Sequence, residues 1–521
     1  MCCTATLTPQ PCHLVVLSAE MQNLPVELQL EIASFLDVET ILSLRKTCTS
    51  LSQFTHDRSL WLSLVSRMPH ILPRPLAESE TATLSSLRLE HLIKTAIHVE
   101  QAWLLPRKDT FLVKNRCDSD DIENSIPRVR HLAFVSDHYL LSLGSEGNIN
   151  LWKINDVFAP FAAEAFVTYA SSTWYPCAYH LNAAGSVLAI ALTHVELVAA
   201  RVLTISLDAG RSGPPFLVTE GEFSIFPPQV IRAIDADLKI ALLSNTALSF
   251  EVVNWGTKAQ ATVALRANDA GDLWNGITAM RICGPYILVF RMHTVEAYPL
   301  PSHITLGVGE RSGILPQLTF RFPHTMTYRR VSLTKNTCVE DEESEVYGLS
   351  ALANDLFHGI FHFYVKLTVR PLPSLSVSPL GVRPMAVASP QSVAAPLPED
   401  LPPPPAPSVL PGIVQDTRAF ISAWALGDYG KRGIWVARSR TSKNRTVVAF
   451  TNLRDVGNTL GEARAWSNES LQANDNLERP RLINGQVVHD IPLRDDITVC
   501  AVSETTGRMA LGSWAGSITI L

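Results

Sequence analysis

The chain has 521 residues, 46% of them hydrophobic, which is more than one ordinary core absorbs and suggests several domains. Its net charge of −6 comes from 43 basic and 49 acidic side chains mixed along the sequence. With no lysine/arginine block, this argues against a general nucleic-acid or anionic-membrane binder. The nine cysteines are scattered, form no CxxC pair and are odd in number, which fits a reducing compartment, cytosol or nucleus.

The first residues, MCCTATLTPQPCHLVVLSAEM, carry no basic run, and the apolar stretch Leu14 to Leu17 is too short for a signal peptide or a span. Residues 1–20 are expected to be disordered. Cys2 and Cys3 offer a lipid acceptor, but no second anchoring signal accompanies them.

A leucine-rich stretch follows. Pro25 suits a helix start, and Leu28, Ile32, Phe35 and Leu36 then fall on one helical face. Asp37 is placed to cap a second helix, in which Ile41, Leu44, Cys48 and Leu51 repeat the spacing. Asp57 caps a third, with Leu60, Trp61 and Leu64. Three short helices in about forty residues cannot bury all these faces against each other, so some apolar surface is left for another domain or chain.

The residues Leu24-Pro25-x-Glu27-Leu28, Ile32, Phe35-Leu36-Asp37, Leu42, Leu44, Cys48, Leu51 and Leu60-Trp61 resemble an F-box. One departure is Ser50 or Leu51 near the position where many F-boxes carry tryptophan. The resemblance implies a three-helix module over residues 21–66 that docks on the Skp adaptor and through it on a cullin–RING ubiquitin ligase. It implies Leu24, Pro25, Glu27, Leu28, Ile32 and Leu36 as adaptor-binding residues, with Ile41, Leu44 and Cys48 behind them. Apolar anchors on short helices would enter a complementary groove. The sequence leaves open which of them pack inside the module.

Residues 67–104 read as a helical linker. Within 82–103, Leu92, Ala96, Val99 and Trp103 form one stripe, and Leu89, Ile93, Ala96 and Ile97 a second. Such a wide apolar face suits a helix packed on both neighbours, or one belonging to the second domain alone.

From about residue 111 the period changes to two. VRHLAFVSDHYLLSLGSEGNINLWKI (129–154) reads as three short strands with tight turns, and ITVCAVSETTGRMALGSWAGSITIL (497–521) repeats the scheme. Both resemble blades of a diverged WD-repeat propeller, although Lys153 follows Trp152 where an acidic residue is usual and no Gly-His pair precedes either segment. Blades are expected near 129–157, 177–208, 229–256, 277–299, 326–368, 418–452 and 497–521. This gives an all-β domain of about seven blades over 105–521, in an α+β multidomain chain. TFLVKN (110–115) is placed to supply the outer strand of the last blade and close the ring. Two separate β-sandwiches are the alternative.

Residues 371–412 hold thirteen prolines and are expected to form an extended or disordered insertion in this domain. Ser378-Pro379 and Ser389-Pro390 are phosphorylation candidates there.

Catalytic signatures are weak. Gly427-Asp-Tyr-Gly430-Lys431 lacks the earlier glycine of a phosphate loop, and His358 and His362 lack a third metal ligand. No cofactor or metal is expected. Arg232, Arg281, Arg291, Arg329 and Arg330 lie in or beside expected strands and are candidates for reading a target. The expectation is a non-catalytic substrate-recognition subunit binding an unknown protein target, with no nucleic-acid or membrane partner. An F-box/propeller scaffold outside the ligase is a second reading, and a propeller hydrolase with paired carboxylates a third.

Overall fold

The computed structural model describes residues 24–67, 72, 82–107, 110–114, 128–145, 147–155, 163–207, 217–225, 228–244, 249–265, 275–301, 304, 316–322, 326–340, 344–355, 358–384, 420–438, 444–451, 483, 485–492 and 496–521. The chain divides into two units, Met1–Ala102 and Trp103–Leu521. The expectation for residues 1–20 lies outside the described residues.

The first unit contains α1 (Val26–Ser34), α2 (Val38–Leu44), α3 (Thr49–Phe54), α4 (Arg58–Arg67) and α5 (Ser86–Ala102). The 24–67 segment thus has four helices where three are expected. The second expected helix breaks after Leu44, and Cys48 starts a new one by accepting the Leu51 N–H at its sulfur. The other caps follow the sequence. Asp37 accepts from the Thr40 N–H at 2.7 Å, which holds its carboxyl below the usual range, and Asp57 accepts from the Ser59 N–H.

The core of this unit joins Ile41, Leu51, Leu60 and Trp61 to Leu89, Ile93 and Ala96 of α5. Each buried leucine or isoleucine among them contributes about 1.5–3 kcal/mol. Leu51, at the tryptophan departure, is fully buried. Helix α5 also supplies Glu90, whose carboxylate takes a two-pronged ion pair from Arg45 at 2.9 and 3.0 Å. Arg45 further donates to Thr55, whose carbonyl accepts from the Trp61 indole. The linker helix is therefore part of the helical core.

The second unit is seven antiparallel sheets in chain order. The first four blades are β2–β5 (Val129–Ser136, Tyr139–Gly144, Ile149–Ile154, Ala163–Tyr169), β6–β9 (within Trp174–Ser224), β10–β13 (within Val230–Ala264) and β14–β17 (within Ile277–Arg321). The fifth blade holds β18 (Tyr328–Leu333), β19 (Thr337–Glu340), β20 (Glu345–Asp355), β21 (Gly359–Arg370) and β22 (Ser374–Pro384). The sixth is β23–β26 (Phe420–Leu426, Arg432–Arg438, Asn444–Thr451, Gly485–Pro492). The last blade takes β27 (Ile497–Val502), β28 (Met509–Ser513) and β29 (Ser517–Ile520) from the end of the chain and β1 (Phe111–Lys114) from its start.

The first strand of a blade lies inward. Neighbouring first strands approach each other around the ring, as in β6 with β10, β14 with β18 and β27 with β2. β1 pairs with β29 from Phe111 opposite Ile520 to Lys114 opposite Ser517, so the ring closes as expected. Closure removes the open edge that a linear array would leave. All seven expected blades are present.

The proline-rich expectation needs correcting at its start. Ser374–Pro384 is a strand, β22, paired along β21. Its prolines are tolerated because β22 is an edge strand with a bulge opposite His362/Phe363. Ser378 is buried there, so it is no accessible phosphorylation site. Residues 385–412, with Ser389-Pro390, lie outside the described residues.

Turns at one end of the blades are tied to their neighbours. Asp237 accepts the Ala183 N–H from the second blade, and Lys335 of the fifth pairs with Asp428 of the sixth at 2.6 Å. Glu504 of the last blade accepts the Tyr429 and Arg432 N–H groups of the sixth at 2.6 and 2.7 Å. Burial, opposed by these bonds, pushes its carboxyl up to about 7. Asp137 of the first blade accepts from the Thr505 hydroxyl of the last.

Candidate functional site

Each unit carries one candidate surface. In the helical unit it is the outer face of α1. Leu28, Ile32 and Phe35 fall one or two turns apart, yet this apolar stripe points outward. Val26, Leu28, Ile32 and Phe35 are 52%, 46%, 40% and 71% exposed. The inward face instead holds Ala33 and Gln29, whose amide donates to the Leu24 carbonyl at 2.8 Å. Leu28, Ile32 and Phe35 thus make an exposed apolar stripe along one face of the helix and its C-cap, the kind of surface that marks an interaction site. Arg67 lies over the Phe35 ring at 5.0 Å, and Glu27 is exposed at the other end of the helix, in its first turn.

The structure separates the expected adaptor-binding residues into two sets. Pro25, Glu27, Leu28 and Ile32 are exposed, and Leu24 and Leu36 half-buried. Ile41 and Leu44 are buried in the module's own core, and Cys48 is half-buried with its sulfur engaged at the start of α3. Their roles are thus to support the face from within. Val26 is exposed on the same helix and was absent from the expected set, because its position precedes the first periodic leucine.

In the propeller the candidate surface is the mouth of the ring where the first strands begin. The first three residues of β2, β6, β10, β14, β18, β23 and β27 read VRH, WYP, VIR, ITA, YRR, FIS and ITV. They include Arg130, His131, Arg232, Arg329 and Arg330 and no carboxylate. The four arginine side chains are exposed. His131 is held down to about 4 by desolvation first and then by the charges of Arg330 and Arg130, so the fifth and first blades meet electrostatically at this mouth. Arg330 also lies 5.4 Å from the Trp424 ring of the sixth blade, and Arg232 donates to Ser244 at 3.1 Å.

The other expected arginines serve elsewhere. Arg291 is buried and ion-paired to Glu296 at 3.0 Å, inside a network with Thr294, Tyr298 and Asn275. Arg281 sits nearer the far end of its strand and donates to the Thr334 carbonyl. Arg130 was missed by sequence reading, although Arg-His at the start of a strand is a visible signal.

The remaining chemical candidates resolve into structural roles. Gly427 to Lys431 is a β-hairpin turn, with Gly430 at φ +77° and the Glu504 side chain against Gly427. His362 is buried and held near 3 by desolvation, while His358 in the preceding turn contacts Asp355 at 3.0 Å, so the two histidines do not converge. His180, Asp235 and Asp237 lie close enough to share an ion, but the Ala236 N–H donates to His180 Nδ1 at 3.1 Å and occupies that lone pair. Burial pushes Cys177 up to about 11 and Cys283 and Cys500 up to about 12, which suits packing rather than nucleophilic attack. Among the described residues no helix is long and apolar enough to cross a membrane.

Residues 21–67 match the F-box-like family model. The chain is an F-box-like module followed by a seven-bladed β-propeller. A search of curated proteins gives no match. Among solved structures, the chain is similar to the Cps50 (Swd1) β-propeller domain of Myceliophteria thermophila, at 12% identity over 79% of this chain and 99% of that one, TM-score 0.42. It is also similar to the hydrazine synthase of Kuenenia stuttgartiensis, at 11% identity over 78% and 98%, TM-score 0.39. The propeller assignment rests on the seven sheets themselves. An F-box-like module joined to a propeller fits a substrate-recognition adaptor, an architecture typical of non-catalytic proteins.

Proposed function

We propose that this chain is the substrate-recognition subunit of an SCF-type cullin–RING ubiquitin ligase. The observation that carries the reading is the exposed apolar face of α1 in an F-box-like module. F-box domains generally bind Skp-type adaptors, and the face offers Leu28 and Ile32 as anchors, flanked by Pro25, Glu27, Leu24 and Leu36. Docking would remove these side chains from water, a gain of about 25 cal/mol per Å² before the costs of association. The propeller would hold the target protein, raising the local concentration of its lysines at the ubiquitin-charged enzyme. The chain itself performs no chemistry in this reading, and the role belongs in the cytosol or nucleus.

The test is co-purification of the Skp adaptor and cullin with the full chain, wild type against Leu28→Asp/Ile32→Asp. Capture of both proteins by wild type and loss of both by the variant is the expected result. Failure of wild type to capture either, where a known F-box protein does, would overturn the ligase role and leave a scaffold acting outside it.

A further inference from the structure

The channel end where the first strands finish holds charges that lie close together yet are not paired with one another. Tyr179 and His180 lie near the end of β6, in the second blade, and Asp235 ends β10 in the third. Arg281 lies in β14 of the fourth blade, and Asp428 follows β23 of the sixth. The second and sixth blades are not neighbours in a ring of seven, so Asp428 acts on Tyr179 across the central channel. Desolvation first, and then the Asp428 charge, push the Tyr179 hydroxyl up to about 12, while the Arg281 charge draws it back. Tyr179 is still 38% exposed, which suits a side chain standing in a water-filled channel.

Two corners of opposite charge face this space. The acidic corner is Asp235 and Asp237, whose carboxylates lie within 4.8 Å of each other and of a His180 ring nitrogen. Asp235 accepts the Asp237 and Leu238 N–H groups at 3.0 and 2.9 Å, and Asp237 accepts the Ala183 N–H at 2.9 Å. Neither has a cationic side chain in ion pairing with it among the described residues. The basic corner is Arg281, which donates to the Thr334 carbonyl at 2.9 Å and keeps a buried Nε without an acceptor. It too has no ion-pair partner among the described residues, because Asp428 is taken by Lys335 at 2.6 Å. Burial holds His180 below its ordinary value, Asp235 and Asp237 oppose this, and Arg281 and Lys335 add to it, so both corners act on one ring.

Opposite charges this near attract, and here the blades hold them apart. The gap between them fits a ligand that carries both signs. A metal ion does not qualify, since the Ala236 N–H donates to His180 Nδ1, which puts the ring proton on Nε2 and leaves no lone pair to ligate. An ammonium needs only the two carboxylates and brings three donors to them. A carboxylate suits the Arg281 fork and the Tyr179 hydroxyl.

We propose that this end of the channel binds a small zwitterion of the amino-acid kind, its ammonium on Asp235 and Asp237 and its carboxylate on Arg281 and Tyr179. The site is separate from the rim where the first strands begin, and it does not rest on the ligase reading.

Saturation-transfer NMR on the full chain tests it, with the common free L-amino acids as probes. The expected result is saturable binding of at least one of them, with a Kd tighter than about 1 mM. That binding should weaken at least about tenfold when the carboxylate is amidated or the amine acetylated. Tyr179→Phe and Asp235→Asn, which keep the ring and the turn-capping oxygen, should each weaken it severalfold at an unchanged melting temperature. Arg281→Gln should abolish it, and if that variant melts early the Tyr179→Phe result decides. Absence of saturable binding by every probe would overturn the proposal. So would equal binding of the acetylated or amidated form, which would mark a site for a single charge such as a peptide end. Full binding by the folded Tyr179→Phe and Asp235→Asn variants would place the zwitterion elsewhere and overturn it too.

Discussion

Glu90→Ala should loosen the whole helical unit while leaving the propeller intact. Glu90 lies on α5, outside the residues matched by the F-box-like model, yet its side chain is 7% exposed and takes both prongs of the Arg45 guanidinium at 2.9 and 3.0 Å. Removing one member of a buried pair costs about 3–5 kcal/mol, because the other charge is left in a desolvated place. Arg45 keeps its bonds to Thr55 and is itself 19% exposed, so the lower end of that range applies, about 3 kcal/mol. A loss of that size is roughly a hundredfold change in the opening equilibrium. The assay is amide hydrogen exchange on the full chain. Amides of α1–α5 should exchange about a hundredfold faster in the variant, and those of β2–β29 at the wild-type rate. Arg45→Met/Glu90→Met, which removes both charges, should recover most of the protection. Unchanged exchange in α1–α4 would show that α5 is an attachment to the module and not part of its core.

Other outcomes follow from the same coordinates. Leu28→Asp/Ile32→Asp should change the melting temperature little, since both side chains are exposed, and a large drop would show that α1 packs inward after all. Gly147→Ala should lower the melting temperature, because a Cβ at φ +76° would collide with the carbonyls of Ser171 and Trp174. Glu504, raised from 4.5 to about 7, gives stability that is greatest below pH 4.5 and lost as pH rises towards 7. Denaturant midpoints across pH 4.5–7 should therefore carry a slope that Glu504→Gln removes. His362, lowered from 6.5 to about 3, has the opposite sign: its contribution is present above pH 6.5 and lost as pH falls towards 3, and His362→Phe should flatten that acid limb. Trp103→Phe should cost the propeller about 1 kcal/mol by deleting the indole bond to the Phe450 carbonyl, measured as a shift in its unfolding midpoint.

Local chemistry made much of this molecule readable. Strand periodicity and tight turns mark all seven blades, because alternation is written into each strand whatever it packs against. The caps at Asp37 and Asp57 were legible for the same reason, since a cap acts within three residues. The four-helix count was not, because the break after Leu44 depends on a cysteine sulfur serving as a cap, which has no strong sequence signal. Proline content misjudged β22, since an edge position and a bulge made its prolines acceptable.

The amino-acid sequence by itself determined the two kinds of architecture, the leucine motif and the ring-closing strand at 110–115, all of which follow from patterns within a few residues. Tertiary structure decided which apolar side chains face water. An amphipathic stripe says only that Leu28, Ile32 and Phe35 share a face, and Ala33 and Gln29 took the inward side. It also decided which arginines remain available. Arg291 and Arg330 both sit in propeller strands, but a buried glutamate on the next strand of the same hairpin claims the first and none among the described residues claims the second. Which side chains of a hairpin are turned inward is a property of the assembled ring, which spacing along the chain does not contain.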